Sequence, residues 1–439
     1  MAQPAVGKEA STIAELHPKI KHFYAKQRSI RYDGFMLIYE FKVKAKLAQY
    51  AAIDEAIRTA QFIQNKCLRF WMDGKKVSKY DLNKYCAVLA KEFGFADELN
   101  SMARQASAER AWSVISRFFD NCKKQIPGKK GYPKFKKNGR SVEYKTSGWK
   151  LSEMRNRITF TDGKNIGTVK LIGSRDLRCY QPSQIKRVRL VRRADGYYAQ
   201  FGIQVDRTEQ LEPTGNAIGL DMGLESFYTD SQGHSEPNPR FYRKGEKRLK
   251  KLQRRVSRKQ KGSKNRGKAR QRLAKHTLKV SRQRKDHAVK LARCVTHSND
   301  VIVYEDLRIK NMVKNHCLAK SISDAGWYQF RMWLEYLGKV HGKITIAVPP
   351  HYTSQQCLQC GTVVKKSLST RTHRCQCGCK LHRDHNAALN ILKSGLSTVG
   401  HIGTGILEMQ NAWGELTSTG IGAILSQQVD STNQESNVL

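Results

Sequence analysis

The chain has 439 residues, 39% of them hydrophobic, which is enough for about two to four domains with cores of their own. Its 80 lysines and arginines outnumber 37 acidic residues, giving a formal net charge of +43, so we expect a nucleic-acid partner, with a membrane surface as the less favoured alternative. No apolar run approaches the ~20 residues that span a bilayer, and Met1 to Ser29 has no continuous apolar core, which argues against a membrane protein and a secretory signal.

The first part of the chain is predicted to be helical after an irregular start. Residues 1–33 are polar, and we assign them to an N-terminal extension. The apolar run 35–43 predicts a strand, and apolar residues at helical spacing over 47–71 predict a long helix. Two further helical patterns, near 79–99 and 100–125, complete a helical segment.

The next part of the chain has the pattern of a β-rich domain. It opens with a loop, 128–137, that is rich in glycine, proline and lysine. The strand at 35–43 is predicted to join this domain, so that the helices are an insertion into it. Four short β-like runs follow the loop: 157–160, 167–171, 185–191 and 197–205. The last two flank Ala194-Asp195-Gly196, which is a hairpin signal.

A third region begins near residue 214 and places carboxylates at the ends of its elements. Four apolar runs in it predict strands: 217–221, 224–229, 301–305 and 344–348. The first ends in Asp221, the third ends in Glu305, and Asp384 begins a predicted helix. Groups at strand ends gather at one edge of an open sheet. Three such carboxylates can hold two Mg²⁺ ions ~3.5–4 Å apart for phosphodiester cleavage, although any one of them alone could be an ordinary surface acid.

A long basic stretch lies inside this region. Residues 243–285 hold 21 lysines or arginines and a single acid, Glu246. A charge run is often a disordered tail, but regularly spaced apolar residues interrupt this one, with Gly262-Ser263 between two halves. We therefore predict two long basic helices facing nucleic acid, followed by a helix at 286–297. The representative contacts are Arg254, Arg255, Arg258 and Lys259.

Five of the eleven cysteines fall between positions 357 and 379, which indicates a reducing compartment and a metal site rather than a disulfide framework. Two cysteine pairs separated by a 14-residue spacer, 361–374, have the spacing of a zinc ribbon. The first pair is Cys357 and Cys360. The second pair is open from the residues alone, because Cys375, Cys377 and Cys379 offer three ligands for two places, and His373 and His382 compete with them.

Four motifs in a fixed order connect these features. They are Gly219-Leu220-Asp221-Met222-Gly223, Tyr304-Glu305-Asp306-Leu307, Thr353-Ser354-Gln355-Gln356-Cys357-Leu358-Gln359-Cys360-Gly361 and Asp384-His385-Asn386-Ala387-Ala388. Together they resemble TnpB, the RNA-guided nuclease of bacterial insertion sequences, and the compact type V CRISPR effectors related to it. The likeness covers roughly residues 34–395, and its motifs are most specific from 214 to 393.

The resemblance implies a multidomain fold of the α+β and α/β classes. It implies a wedge β-barrel interrupted by a helical recognition domain, then an RNase H-like RuvC nuclease domain with a zinc-ribbon insertion that binds the target nucleic acid. In this sequence the expected domains are an N-terminal extension at 1–33, the wedge at 34–45 and 126–213, the recognition domain at 46–125, RuvC at 214–349 and 383–397, the zinc ribbon at 350–382 and a disordered tail at 398–439.

The resemblance also implies an activity, which is RNA-guided cleavage of double-stranded DNA next to a short adjacent motif. A single RuvC site containing Asp221, Glu305 and Asp384 cuts both strands with two Mg²⁺ ions. One structural Zn²⁺ is bound by Cys357, Cys360, Cys375 and Cys377, with Cys379 spare. The implied partners are a guide RNA and a target DNA, with no membrane. A monomer is favoured over a dimer, in the cytoplasm of a prokaryote and on the nucleoid when DNA is bound.

Two positions depart from the pattern of this family. His382 stands where the family usually has the first aspartate of Asp-Arg-Asp, and Cys379 is an extra thiol. Neither change removes a required group. The alternatives are a compact type V CRISPR effector, a nuclease-silent RNA-guided DNA-binding protein, a zinc-ribbon DNA-binding protein and a DNA-joining transposase. The three acids argue against the second and third of these, and no separate motif for strand transfer supports the fourth.

Overall fold

The structure, a computed structural model, describes residues 36–401 with gaps at 75, 126–127, 210 and 368–369, and it leaves out the side chains of 399–401. The predicted N-terminal extension and the predicted disordered tail beyond His401 therefore lie outside the described residues. The chain divides into two compact units. One consists of Gly34–Asp206, and the other contains the chain from Arg207 onward.

The first unit is built on a mixed arrangement of helices and one seven-stranded sheet. The strands are β1 (Met36–Lys44), β2 (Ser141–Lys145), β3 (Trp149–Leu151), β4 (Arg157–Phe160), β5 (Gly167–Ile172), β6 (Ile185–Arg193) and β7 (Gly196–Gln204). Their order is β2-β6-β7-β1-β5-β4-β3, and all neighbours are antiparallel. Strand β1, the earliest in the chain, lies in the centre of the sheet, which confirms the prediction that it joins this domain.

The expected closed barrel is not found among the described residues. Strands β2 and β3 end the sheet, and no backbone hydrogen bonds join them to each other. They are nevertheless consecutive in the chain, separated only by the 3₁₀ turn Thr146–Gly148. The two edges of the sheet are thus brought close together by the chain itself. The barrel prediction is corrected to an open sheet, because this turn separates the two strands instead of pairing them as a hairpin.

Four helices are inserted between β1 and β2: α1 (Leu47–Asp73), α2 (Lys79–Glu92), α3 (Gly94–Asp97) and α4 (Ser101–Lys123). Helix α2 begins at Ser78, whose hydroxyl accepts the Asp81 N–H, and α4 begins at Asn100, whose side chain accepts the Met102 N–H at 2.8 Å. The buried stripe of α1 joins the apolar face of the sheet in one core. Helices and sheet of this unit therefore fold as one body.

The second unit contains a five-stranded sheet that positions the candidate site. Its strands are β8 (Ala217–Asp221), β9 (Ser226–Asp230), β10 (Ser235–Pro237), β11 (Val301–Glu305) and β12 (Ile344–Val348), in the order β10-β9-β8-β11-β12. Strands β8, β11 and β12 are parallel, whereas β9 is antiparallel to β8 and to β10. The predicted antiparallel return after β8 is confirmed, as are the bounds of β8, β11 and β12.

Strand β11 is buried on both faces, which explains its uninterrupted apolar sequence. Ile302 and Tyr304 face one apolar core, and Val301 and Val303 face another. The helices that cover the sheet are α5 (Phe241–Ser257), α6 (Lys264–Ser298), α7 (Ile309–Met312), α8 (His316–Ala325), α9 (Trp327–Val340) and α10 (Arg383–His401). Among the described residues, no helix is both long enough and apolar enough to cross a membrane.

The two predicted basic helices are present, with one difference in length. Ser263 begins α6 by accepting the Arg266 N–H, and Gly262 before it has a φ of +84°, so the chain breaks where the sequence indicated. The helix predicted separately at 286–297 is the continuation of α6, because no glycine or proline interrupts the chain near residue 285. Helices α7 to α9 were not predicted.

Helix α10 lies directly on the sheet, and two glycines allow this close approach. A Cβ at Gly219 of β8 would collide with the backbone carbonyl of Ala388, and one at Gly395 of α10 would collide with the side chain of Val303. Ala387 and Ala388 are fully buried in the same contact. This close packing fixes the first turn of α10 beside the end of β8.

Candidate nuclease site and cysteine cluster

Asp221 and Glu305 end adjacent parallel strands. Leu220 of β8 is in register with Tyr304 of β11, so the next residue of each strand is one of these carboxylates. Successive side chains of a strand alternate between faces, and residues in register point the same way. The two carboxylates therefore emerge together at the carboxyl edge of the sheet, where the sequence predicted them.

Asp384 is brought to the same edge by α10. It lies in the first turn of this helix, where the partial positive charge of the helix N-terminus stabilises a carboxylate. Arg383 Nε donates to its Oδ1 at 2.9 Å, and Arg371 Nη1 lies 3.7 Å from its Oδ2. Arg371 also pairs with Glu225 at 2.5 Å. Arg371 belongs to the cysteine-bearing segment, and sequence reasoning gave it no role at the site.

The other two acids and burial disturb the ionisation of Asp221. Burial raises the pKa of Asp221 well above its usual range, the neighbouring charges of Glu305 and Asp384 raise it further, and Arg383 opposes them. Burial also raises the pKa of Glu305, against a hydrogen bond from Thr353. Carboxylates that disfavour one another's charge fit a divalent cation, which relieves that repulsion. The carboxylate oxygens of the three acids are farther apart than the ligands of a compact metal site. Among the described residues, sets of three or more possible ligand atoms within 4.8 Å of one another occur only in the cysteine cluster.

A short loop connects the cysteines to the acids. Thr353 Oγ1 donates to Glu305 Oε1 at 2.6 Å, and the carbonyl of Thr353 accepts from Asn390 at 2.9 Å. Asn386 and Asn390, one turn apart on α10, both donate to the carbonyl of Gln356 at 2.8 Å. The loop 353–358 is thus clamped to the helix that carries Asp384. This function of Thr353 was not predicted from the sequence. The only sequence signal for it is that Thr353 lies four residues before the first of the clustered cysteines, Cys357.

Thr353 is expected to position Glu305, and Thr353→Val tests this role. The valine keeps the size of the side chain but removes the hydroxyl that holds the carboxylate. Loss of such a second contact around a metal ligand typically costs about 10–100-fold in activity or metal affinity. The hydroxyl lowers the pKa of Glu305, so its removal raises that pKa. Because the ionised carboxylate is the form that binds metal, the cleavage rate of the variant is expected to rise only at a higher pH. Cleavage rates at varied pH and Mg²⁺ concentration measure both effects.

Thr353→Ser is the matched control, because serine keeps the hydroxyl. It is expected to retain most activity and the original pH profile. A valine variant with an unchanged pH profile and unchanged Mg²⁺ requirement contradicts the positioning role, whatever its effect on stability.

The cysteines lie together in a compact cluster, as their spacing predicted. Cys357 and Cys360 lie on a turn in which Gly361 has a φ of +75°. Cys375, Cys377 and Cys379 lie on a second turn between β13 (Thr372–Arg374) and β14 (Lys380–His382), where Gly378 has a φ of +89°. Both values are in the left-handed region that favours glycine. The Sγ atoms of Cys357 and Cys377 are 3.6 Å apart, and those of Cys360 and Cys375 are 3.5 Å apart.

Two overlapping groups in this ribbon have the compactness of a metal site. The first contains the four predicted zinc ligands: Cys357, Cys360, Cys375 and Cys377. The second contains Cys357, His373 and Cys379, and all three of these are buried. Of the alternatives left open by the sequence, His382 belongs to neither group. In the first group, hydrogen bonds from the hydroxyl and N–H of Thr362 lower the pKa of Cys360 to about 6, which favours the thiolate that binds metal.

The predicted nucleic-acid contacts lie at the end of α5 and in the turn that follows it. Arg254, Arg255, Arg258 and Lys259 are all exposed. None of them has an acidic partner within salt-bridge distance among the described residues. Four exposed cations at the end of a basic helix and in the turn after it are suited to phosphate contacts.

Comparison of this chain with known proteins identifies the family to which it belongs. Residues 200–316 match the family OrfB_IS605, described as "Probable transposase", and residues 327–391 match the "Cas12f1-like, TNB domain". A protein of Streptomyces pristinaespiralis named "Putative RNA-guided DNA endonuclease" is 30% identical over 365 residues, which cover 80% of this chain and 87% of that protein. The chain belongs to the TnpB family. Escherichia coli K12 has a relative, "Putative RNA-guided DNA endonuclease InsQ", 30% identical over 282 residues, 60% of this chain and 68% of that protein.

This TnpB-family protein also shares its fold with solved structures. A Cas12f1–sgRNA–target DNA complex aligns with a TM-score of 0.50 and 14% identity over 79% of this chain and 82% of that one. CasPhi-2 (Cas12j), bound to crRNA and phosphorothioate-DNA, aligns with a TM-score of 0.51 and 10% identity over 89% of this chain and 99% of that one. At these identities the likeness concerns the fold, and the chain has the mixed α and β architecture of these proteins.

Proposed function

We propose that this protein is an RNA-guided DNA endonuclease of an insertion sequence. It cuts double-stranded DNA beside a short adjacent motif through a single metal-dependent centre. The observation that carries the proposal is the convergence of Asp221, Glu305 and Asp384 at one sheet edge, in a chain whose relatives bear the names of RNA-guided DNA endonucleases. The presence of all three acids favours an active nuclease over a nuclease-silent binder.

The topology of the second unit supports an RNase H-like RuvC domain. If its strands are numbered in chain order, they lie side by side in the order third, second, first, fourth and fifth. The second strand runs in the direction opposite to that of the other four. The carboxylates end the first and fourth strands, at the edge where a helix brings the third acid. We assign residues 214–349 and 383–397 to this domain and residues 350–382 to a zinc-ribbon insertion. The first unit, 34–206, contains the proposed recognition helices, at 46–125, and all of the proposed wedge, at 34–45 and 126–213, except residues 207–213.

The acids are the ligands that a hard divalent cation requires, and Mg²⁺ is the proposed ion. Bound there, a pair of such ions supplies an activated water and stabilises the leaving oxygen of the cleaved strand. Thr353 holds the Glu305 carboxylate in place, and Arg371 and Arg383 hold Asp384. Because one centre holds all three acids, it serves both DNA strands in turn.

The four-cysteine group holds one structural zinc ion in this proposal. Its ligands are Cys357, Cys360, Cys375 and Cys377, which have the donor set and spacing of closed zinc sites. The hydrogen bonds from α10 to the loop 353–358 tie this group to the acids. Zinc therefore acts on cleavage indirectly, by ordering the loop that carries Thr353.

The partners in this proposal are a guide RNA and a target DNA. Base pairing with the guide selects the target, and the protein reads the shape and backbone of the heteroduplex through lysine and arginine. The exposed cations of α5 and α6 lie in the same unit as the acids, so they are suited to hold the backbone near the cut. Phosphate contacts of this kind carry no base identity.

Neutralising the α5 cations is expected to weaken binding to every nucleic-acid sequence alike. A variant with glutamine at Arg254, Arg255, Arg258 and Lys259 loses up to four phosphate contacts. Each contact adds about 0.7–0.9 to the slope of log affinity against log salt, so the loss of all four lowers the slope by about 2.8–3.6. The preferred target stays the same. Binding titrations at several salt concentrations measure the slope.

The control replaces the three arginines by lysine, which preserves the charge. Its salt slope is expected to match that of the original protein. A glutamine variant that selects a different target, or that keeps the full slope, contradicts the assignment of these residues to the phosphate backbone.

A DNA library tests the proposed function as a whole. The protein is purified with its RNA, the RNA is sequenced, and DNA carrying the matching target with randomised flanks is added with Mg²⁺. Cleavage is expected only in matched DNA, next to one short flanking motif, and a chelator of divalent cations stops it. Cleavage that ignores the guide sequence, or the absence of a bound RNA, contradicts the proposal.

A further inference from the structure

The zinc ribbon contains more ligands than one zinc ion uses. Cys379 and His373 are left over by the four-cysteine group, yet both are buried, at 6% and 0% exposure. With Cys357, which belongs to both groups, their ligand atoms lie within 4.8 Å of one another. The position of the Cys379 thiol and the His373 imidazole beside the same thiolate, Cys357, indicates that the three side chains share a ligand function.

The imidazole of His373 is buried, and one of its ring nitrogens has no partner in the part of the chain that the structure describes. Lys366 Nζ contacts its Nδ1 and donates to the carbonyl of Ser354 at 3.2 Å. Its Nε2 is buried without a hydrogen-bond partner among the described residues. A ring nitrogen that is buried without a partner is otherwise costly.

We propose that Cys357, His373 and Cys379 form a second metal site, which shares the Cys357 thiolate with the four-cysteine site. Two sulfur donors and one imidazole select a borderline-soft divalent cation such as Zn²⁺, Co²⁺ or Cd²⁺ over Mg²⁺. Three protein ligands leave one position for water. The second ion binds more weakly than the first, because the shared thiolate is already neutralised in part and Lys366 places a positive charge beside the site.

The proposal rests on the four-cysteine zinc site proposed above, so the experiment follows both sites at once. Co²⁺ is added to the full-length, zinc-loaded protein in excess Mg²⁺, and zinc retention is measured by elemental analysis. Tetrahedral, thiolate-bound Co²⁺ absorbs strongly in the visible range, where Co²⁺ on carboxylates or phosphates absorbs weakly. We expect one equivalent of this strongly absorbing Co²⁺ per chain, with no release of zinc.

The variants identify the ligands. Cys379→Ser is expected to lose the cobalt absorbance and keep its zinc, whereas Cys379→His preserves a donor and keeps both. His373→Gln loses the absorbance, and His373→Cys restores it, which separates a ligand from a residue needed only for packing. Cys294→Ser is the matched control, since Cys294 is an exposed thiol on α6, outside the ribbon.

Two results distinguish failure of the second site from failure of the first. If the protein retains zinc but develops no cobalt absorbance, or gains it only as zinc is released, the second site does not exist and the four-cysteine site stands. If Cys379→Ser releases zinc while Cys377→Ser keeps it, the ligand choice in both sites is wrong. A protein that holds no zinc at all overturns both assignments.

Discussion

Replacing Asp221, Glu305 or Asp384 by alanine is expected to abolish cleavage of both DNA strands and to leave guided binding largely intact. Changes around a metal ligand alone cost about 10–100-fold, so loss of a ligand is expected to cost more than roughly 100-fold. Both strands are expected to be affected equally, because the proposed mechanism assigns both cuts to one group of acids, at the carboxyl edge of β8 and β11. Strand-specific labels in a cleavage assay measure the two cuts separately, and a binding assay measures retention of the target.

Stability distinguishes a catalytic defect from misfolding in these variants. The pKa of Asp221 is raised in the folded protein, so the metal-free fold loses stability as pH rises from the unfolded pKa of ~3.9 through the folded one. Asp221→Asn removes this cost and is expected to raise the melting temperature of the metal-free protein near neutral pH. Asp286→Asn, which changes an exposed acid on α6, is the control and leaves cleavage unchanged. An alanine variant that still cuts one strand efficiently contradicts a single shared site.

Protein freed of RNA is expected to make no site-specific cut, and addition of the matching RNA is expected to restore it. The acids act on the phosphodiester backbone, which is the same at every step of DNA. The net charge of +43 provides affinity for any polyanion, but not selection of a sequence. Selection must therefore come from base pairing between guide and target. The measurement compares cleavage of one DNA substrate by RNA-free protein, by protein with matching RNA and by protein with scrambled RNA.

Mismatches give this experiment an internal control. Mismatches close to the adjacent motif are expected to prevent cleavage, because pairing starts there, while distant ones reduce cleavage less. The three alanine variants described above, loaded with matching RNA, separate guided binding from cutting. Site-specific cleavage by protein verified to be free of RNA would falsify the guided mechanism and indicate an ordinary DNA nuclease.

The elements that carry the acids were predictable because their signals are local. Strands β8 and β11 are short runs, mostly apolar, that end in a carboxylate, and the structure gives them the predicted bounds. Parallel strands buried on both faces require such runs. Gly262-Ser263 marked the break between α5 and α6 for an equally local reason, since one residue has positive φ and the other caps a helix. The cysteine spacing likewise selected the ribbon.

The sequence alone thus determined which residues have metal-binding chemistry and on which elements they lie. Only the tertiary structure decided which of them meet. The hydrogen bond from Thr353 to Glu305 joins residues 48 positions apart, and His373 joins Cys357 and Cys379 only because β13 and β14 fold back on the first cysteine turn. The open sheet of the first unit is of the same kind, since edge pairing depends on packing across the whole domain. Contacts between distant segments depend on how whole elements pack, and a local pattern contains no record of that packing.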